Sequence, residues 1–248
     1  MGVATTAKYD ALWSAARARF LDGALQTDRE PVDGDPRWGM SLVVLPDRET
    51  AEVLERQSAA LDTAYRGKHH LTARADLHAT VTSLEPYRET IAQHAVDHYV
   101  AAVEGSSVAD DLRIRLRGLG GSTAGVFVQG FDDGTLLPLR QRMHAAAAAL
   151  HHGAAPPMAF VRDTAHVSLS VHRQAIPEPA VVELVERSRN EDFGVLCAGR
   201  LALVAYRSRP GGLRLEVLHT FHGISPAPRP QSADPEAPAH ESGPVPTG

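Results

Sequence analysis

The sequence predicts an α+β fold of two pseudo-symmetric lobes, each an antiparallel or mixed sheet backed by helices, with a central cleft between the lobes. Strand-like and helix-like apolar patterns follow one another along the chain, and a strand–helix–strand unit occurs twice. The two units have a constant offset, because His166 follows His78 by 88 residues and Phe127 follows Gly39 at the same spacing. Of 248 residues, 43% are hydrophobic, enough for a substantial core.

Apolar periodicity predicts the elements of the first half of the chain. They are, in order, an amphipathic helix over 5–26, a loop over 27–37, a strand over 38–45, a helix over 48–66, a strand over 76–84 and a helix over 86–104. Pro86 is expected in the first turn of the last of these helices, where its missing N–H is tolerated. Strand 40–45, helix 50–66 and strand 77–83 form the first repeat unit, and strand 126–129, helix 137–152 and strand 165–171 form the second.

The second half repeats this order. Its predicted elements are a hairpin of strands 112–119 and 125–130, a helix over 137–152, a strand over 158–171, a helix over 178–190 and a hairpin of strands 199–206 and 212–218. Residues 225–248 are rich in Pro and Ala and almost free of large apolar side chains, so we expect a disordered tail. The predicted organisation is an N-terminal helix and loop over 1–37, a bilobal domain over 38–224 and this tail.

Composition excludes several classes of protein. Lys and Arg number 25 against 30 Asp and Glu, and a net charge of −5 argues against binding to duplex DNA or to an anionic membrane. Cys197 is the one cysteine, so an intrachain disulfide or a Cys-based zinc module is excluded. The first ten residues lack the features of an export signal, and no apolar run is long enough to span a bilayer. We therefore expect a cytoplasmic protein.

The second strand of each repeat unit carries the residues that suggest chemistry. On the first, His78 and Thr80 share one face; on the second, His166 and Ser168 do. An imidazole transfers protons near neutral pH, and a hydroxyl beside it donates to an oxygen of the same bound anion. Thr82 and Ser170 are expected to add a second hydroxyl on each of these faces. If the lobes face each other, both pairs line one cleft.

The segments LHATV and AHVSL resemble the paired motifs of the two-histidine phosphoesterase superfamily, in which a histidine, an apolar residue, a threonine or serine and another apolar residue follow one another. The resemblance covers residues 38–222. That superfamily includes RNA 2′,3′-cyclic phosphodiesterases, 2′-5′ RNA ligases and ADP-ribose cyclic phosphodiesterases. The resemblance implies two pseudo-symmetric lobes, an acid–base pair of His78 and His166, and phosphate binding by Thr80 and Ser168.

The same resemblance implies hydrolysis or opening of a phosphodiester without a metal or other cofactor. The expected partner is a small nucleotide or an RNA terminus, as in RNA processing, and the expected state is a monomer. Which histidine acts as the base, and which substrate is used, stay open. The alternative is a nucleotide-binding or biosynthetic protein that uses this cleft without hydrolysing a phosphodiester.

Further candidates surround these motifs. Arg162, Tyr206 and Arg207 are predicted contacts to phosphate or base, with ordinary surface residues as the alternative. His94 and His98 stand one helical turn apart and are interpreted as a solvated helix face rather than a metal site. A third group is the alternating run Arg113, Arg115 and Arg117, which would either steer an anion or face solvent.

Overall fold

An eight-stranded antiparallel sheet and five α-helices make up the described part of the computed structural model, which comprises residues 3–106, 112–152, 164–209 and 212–221. The predicted α+β class is confirmed. Within these segments, no helix combines the length and the hydrophobicity that a membrane-spanning helix requires. The predicted disordered tail lies outside the described residues.

The helices are α1 (Val3–Asp22), α2 (Arg48–Tyr65), α3 (Gln93–Glu104), α4 (Leu136–Leu150) and α5 (Pro179–Arg187). The strands are β1 (Ser41–Val44), β2 (His70–Leu71), β3 (Ala79–Ser83), β4 (Arg113–Ser122), β5 (Gly125–Asp132), β6 (Ala165–Ser168), β7 (Ser170–Val171), β8 (Asp192–Cys197), β9 (Leu201–Arg209) and β10 (Gly212–Thr220). Strands β2 and β7 pair separately from the large sheet.

The strand order of the large sheet explains the internal repeat. It runs β10-β9-β1-β3-β6-β5-β4-β8, so the two repeat units, β1–α2–β3 and β5–α4–β6, meet at the centre. The predicted lobes correspond to the two four-stranded halves on either side of that centre. They form one continuous sheet, joined between β3 and β6 at the pairing of Ala79 with Val167. The motif strands are therefore central neighbours.

Helices α2 and α4 pack against the sheet in an exchanged arrangement. Helix α2 belongs to the first unit but lies against β8 and α5, and α4 belongs to the second unit but lies against β3 and α3. On α4, the buried Arg140 donates from Nε to the carbonyl oxygen of Val81 on β3 at 2.7 Å. One continuous core fills the space between sheet and helices, and α1 adds Trp13 and Phe20 to it.

Several predictions about elements are wrong. Within the described part of the strand predicted over 158–171 there are two strands, β6 and β7, which belong to different sheets, and strand β2 is not predicted. The third helix begins at Gln93 rather than at Pro86, because residues 86–92 are tied to the loop before β1. There the backbone N–H of Tyr87 donates to the carbonyl oxygen of Asp35 at 2.7 Å, and the N–H of Gly34 donates back to Tyr87 at 2.8 Å. The sequence pattern also misses strand β8, since its six residues include Gly194, whose φ of +101° interrupts the regular strand pattern.

Candidate active site

A cavity of about 760 Å³ lies on the face of the sheet that the motif strands share. His78, Thr80, His166 and Ser168 all line it. Each of the four is half-buried, while the residues between them, Ala79 and Val167, are fully buried in the core on the opposite face. The alternation that the sequence suggests thus directs all four polar side chains into one cavity.

The register of the two central strands sets the spacing of these groups. Because Ala79 pairs with Val167 in an antiparallel ladder, His78 lies beside Ser168 and Thr80 lies beside His166. Side chains directly opposite on such strands have Cβ atoms about 4.5–5.5 Å apart, and diagonal neighbours are separated by about 7–8 Å. The two imidazoles are diagonal neighbours, and each has the hydroxyl of the other motif at its side.

His78 is held at both ring nitrogens. Its Nδ1 lies 2.7 Å from the carbonyl oxygen of Asp76, and its Nε2 lies 2.6 Å from the hydroxyl of Tyr206. A carbonyl only accepts hydrogen bonds, so Nδ1 carries a proton and donates it. In the neutral ring Nε2 then accepts from Tyr206, and in the charged ring it donates to the phenol oxygen. Nε2 is therefore the ring nitrogen of His78 that can gain or lose a proton while Nδ1 keeps its own.

Asp76 connects this histidine to the edge of the sheet. Its carboxylate accepts from the backbone N–H of Leu215 and from Nη1 of Arg214, both at 2.9 Å, while its carbonyl holds His78. Strand β10, which supplies both donors, pairs with β9, which supplies Tyr206. One buried aspartate thus fixes the position of the imidazole relative to the strand pair that carries its phenol partner.

His166 is supported by aromatic packing from the N-terminal helix. The ring of Phe127 lies 4.9 Å from the His166 ring, and Tyr9 of α1 packs against Phe127 at 6.0 Å. The Tyr9 hydroxyl is hydrogen-bonded to the carbonyl oxygens of Gly130, at 2.9 Å, and of Ala165. Helix α1 is therefore attached to the residue that immediately precedes His166.

The expectation for the second hydroxyl is wrong for Thr82, whereas Ser170 lines the cavity. Thr80 pairs with Val43 but Thr82 pairs with Leu42, so a β-bulge falls between them and turns Thr82 to the helix-covered face. There the Thr82 hydroxyl lies 3.2 Å from Nε2 of His144 on α4. The Ser170 hydroxyl is buried as well, and it accepts from the backbone N–H of Val126 at 3.0 Å.

A chain of buried hydrogen bonds starts at Ser170. Its hydroxyl lies 3.1 Å from the hydroxyl of Tyr65, which lies 3.1 Å from Nε2 of His172, and Nδ1 of His172 lies 3.0 Å from the carbonyl oxygen of Thr123. The carbonyl requires a proton on Nδ1, so Nε2 accepts from Tyr65. Burial lowers the pKa of His172 to about 4, so this imidazole is neutral at physiological pH.

Trp38 forms a wall of the cavity next to Tyr206. Its ring meets the Tyr206 ring edge-on at 5.2 Å, and the Arg37 guanidinium lies 5.0 Å from the tryptophan ring centre. The φ angle of Trp38 is +64°, a conformation that is rare for a bulky side chain. Such strain occurs preferentially at functional sites, and here it turns an aromatic ring toward the cavity.

The other sequence candidates divide by location. Tyr206 lines the cavity, Arg162 lies outside the described residues, and Arg207 is directed elsewhere. The Arg207 guanidinium pairs with Glu216 and donates to the carbonyl oxygen of Glu89 at 2.7 Å, so the structure does not bring it to this site.

The remaining candidates lie away from the cavity. Arg115 pairs with Asp192, which fits a solvated strand face for the alternating arginines. On α3, Nε2 of His98 lies 2.8 Å from the carbonyl oxygen of Ala146. In the part of the chain that the structure describes, no three His, Cys, Asp or Glu side chains are grouped as metal ligands.

Many lining residues are not identified as cavity residues by the sequence, among them Trp38, His70, Arg173 and Arg214. These four belong to the loop before β1, to β2, to the segment after β7 and to β10. His70 stands next to a second histidine in a polar segment, a context that favours a structural or solvated role. No local pattern joins these four. The pairing of β2 with β7 brings His70 and Arg173 together, and the pairing of β10 with β9 places Arg214 at the sheet edge.

The sequence matches no protein-family model and no curated protein. Several solved structures are similar in fold. TT0787 of Thermus thermophilus has a TM-score of 0.58 and 20% identity, with 75% of this chain and 98% of that chain covered. A phosphoesterase has a TM-score of 0.54 and 14% identity, covering 74% and 97%. E. coli LigT complexed with 3′-AMP has a TM-score of 0.51 and 16% identity, covering 74% and 97%. The fold implied by the resemblance to the two-histidine phosphoesterases is confirmed.

Proposed function

We propose that this protein is a metal-independent phosphodiesterase that opens or cleaves a cyclic nucleotide phosphate or an RNA-end phosphodiester. The observation that carries the proposal is the antiparallel pairing of Ala79 with Val167, which directs two imidazoles and two hydroxyls into one cavity. Two imidazoles on neighbouring strands, facing one cavity, are what a paired acid–base reaction requires, whereas a binding protein does not need two such groups.

The proposed reaction begins with a water molecule beside a cyclic phosphate. One histidine, in its neutral form, takes a proton from this water as the oxygen bonds to phosphorus. The bond from phosphorus to one ribose oxygen breaks, and the other histidine, in its charged form, gives that oxygen a proton. The product is a phosphate monoester with a free neighbouring hydroxyl, and the two histidines have exchanged protonation states. Each transfer contributes about 10²–10⁴-fold to the rate.

The neighbouring hydroxyls are proposed to stabilise the negative charge that develops on the phosphate oxygens. Thr80 lies beside His166 and Ser168 beside His78, so each hydroxyl is placed to donate to a non-bridging oxygen while the adjacent ring handles a proton. Donors that are already oriented toward developing negative charge stabilise the transition state. Arg162 remains a proposed further contact to this phosphate.

The fold relatives are consistent with a nucleotide substrate. One similar structure is a phosphoesterase, and E. coli LigT has been crystallised with 3′-AMP, with ATP and with NADP+. A monophosphate such as 3′-AMP has the chemistry expected for the product of opening a 2′,3′-cyclic phosphate. This supports a small nucleotide or an RNA terminus as the partner.

The direct test is a substrate panel assayed with EDTA present and absent. It contains 2′,3′-cyclic and 3′,5′-cyclic nucleotides, 2′-5′ oligoadenylate and ADP-ribose 1″,2″-cyclic phosphate. We expect turnover of at least one member at a rate that EDTA does not change, since the proposed proton transfers use only side chains. Binding without turnover across the panel would instead support a nucleotide-binding or biosynthetic role for the cleft.

Tyr206→Phe is expected to lower kcat by about ten- to a hundredfold on the substrate identified in this way. The substitution removes the hydroxyl 2.6 Å from Nε2 of His78, and a hydrogen bond to a group that becomes charged is worth about 1.5–3 kcal/mol. Steady-state kinetics should show a lower kcat and an unchanged KM.

Tyr99→Phe is the matched control for this variant. Its hydroxyl donates to Glu85 on the helix side of the sheet, away from the cavity. We expect kcat to be unchanged in Tyr99→Phe. Equal kcat values for the wild type and Tyr206→Phe would contradict the role given to the Tyr206 hydroxyl.

A further inference from the structure

A cluster of two arginines and a histidine from three separate elements lines one end of the cavity. His70 lies on β2, Arg173 follows β7, and Arg214 lies on β10. None of the three belongs to the histidine–hydroxyl motifs. We call these three residues the cationic cluster.

The first two members are brought together by strand pairing. His70 pairs with Val171 in the small sheet, so Arg173 emerges two residues beyond its partner. Nη2 of Arg173 lies 3.5 Å from Nδ1 of His70. The backbone N–H of Arg173 donates to Nδ1 of the buried His69 at 3.1 Å, and Nε2 of His69 lies 3.2 Å from Glu178. The backbone from which the Arg173 side chain emerges is thus anchored in the interior.

The third member is brought in by a glycine. A Cβ atom at Gly212 would lie 2.5 Å from Cε1 of His70, so β10 begins in contact with the imidazole, and φ at Gly212 is +132°. Arg214 stands two residues further on, on the same face of the strand. The carboxylate of Asp76 accepts a hydrogen bond from the Arg214 guanidinium at 2.9 Å, and the carbonyl oxygen of Asp76 accepts one from His78. The cationic cluster is therefore adjacent to the proposed catalytic histidine.

The charged residues that line the cavity have a small excess of positive charge, since four arginines stand against three carboxylates: Arg29, Arg37, Arg173 and Arg214, and Asp28, Glu30 and Asp76. Two of these carboxylates pair with arginines of the lining, Asp76 with Arg214 at 2.9 Å and Asp28 with Arg37 at 3.1 Å. Burial, followed by the charges of Arg173 and Arg214, lowers the pKa of His70, whereas Asp76 and Asp28 act in the opposite direction with smaller effect. A dianion placed here would be attracted by both guanidiniums and would favour protonation of His70.

We propose that His70, Arg173 and Arg214 bind a second phosphate of the substrate, distinct from the one that reacts. The substrate is then a nucleotide or oligonucleotide end with at least two phosphate groups, rather than a nucleoside cyclic monophosphate alone. Arginine forks bind phosphate oxygens in pairs, and the position of the cluster next to His78 suits a phosphate on the same nucleotide or on its neighbour. This inference rests on the proposed function.

Calorimetric titration of the full chain tests the cationic cluster. The ligands are adenosine 2′- and 3′-monophosphate and the matching 2′,5′- and 3′,5′-bisphosphates. We expect at least one bisphosphate to bind about tenfold or more tightly than its monophosphate, because charge-assisted hydrogen bonds contribute on that scale. Arg173→Gln and Arg214→Gln should each remove most of this gain.

Arg56→Gln is the matched control, because Arg56 is an exposed arginine of α2 outside the cavity. It should retain the full preference for the bisphosphate. Equal affinities for monophosphates and bisphosphates in the wild type would overturn the second phosphate site while leaving the proposed function standing. Unchanged preference in both cluster variants would overturn the assignment of these residues. If no nucleotide binds at all, the proposed function fails together with this inference.

Discussion

His78→Asn and His166→Asn are each expected to lower kcat by about 10²–10⁴-fold, because each substitution removes one of the two proton transfers. Asparagine at position 78 still offers an N–H to the carbonyl oxygen of Asp76, so the local structure is kept while the titratable nitrogen is lost. Initial rates at saturating substrate measure the effect. The kcat of the double variant should be only slightly lower than that of the less active single variant, since the two rings act as a unit.

His94→Asn is the matched control for this pair. His94 is exposed on α3 and does not line the cavity, so its loss should leave kcat unchanged. The wild-type pH–rate profile should be bell-shaped, with one limb missing in each single variant. Near-normal rates in both single variants on every substrate that the wild type converts would remove the basis for acid–base catalysis by these residues.

Acidification from pH 7 to pH 4 is expected to lower the free energy of unfolding by about 3 kcal/mol through His172 alone. The native imidazole has a pKa of about 4, whereas an unfolded histidine titrates near 6.5. Between these values the unfolded chain binds a proton that the native protein does not, so stability falls as pH decreases. Above about pH 6.5 this contribution is constant.

Urea denaturation at several pH values measures this effect in the wild type and in His172→Gln. Glutamine still offers a donor to Thr123 and an acceptor to Tyr65 but does not titrate. We expect the variant to lose about 3 kcal/mol less than the wild type over the interval. His69 acts in the same direction and Glu178 in the opposite one, and both are common to the two proteins. Equal losses would show that His172 is not neutral in the native state.

The central part of the site is accessible from the sequence because it depends on local alternation. His78 and Thr80, like His166 and Ser168, share a face at a spacing of two residues wherever a strand forms around them. Thr82 shows the limit of this reasoning. The β-bulge that turns Thr82 to the other face is defined by the pairing of Thr82 with Leu42 on β1. No feature of the β3 sequence itself predicts this bulge.

The surroundings of the site depend on contacts between distant segments. Strand β2 has two residues, too few for any periodicity, yet it brings His70 to the cavity through its pairing with β7. The sequence predicts that Tyr206 contacts a ligand, but its bond to His78 joins residues 128 positions apart. The conformation of Trp38 is likewise imposed by its neighbours, since a bulky residue has no intrinsic preference for a positive φ.

The exchanged helices have a consequence for how such a protein can be divided. A duplicated sequence suggests two modules that could fold independently. Here α2 packs against β8 and α5 of the opposite half, and α4 packs against β3 and α3. A fragment that ends after β3 would lack α4, which packs against β3, and would lack β8 and α5, against which α2 packs. The two halves are therefore interdependent, because each contributes a helix to the core of the other.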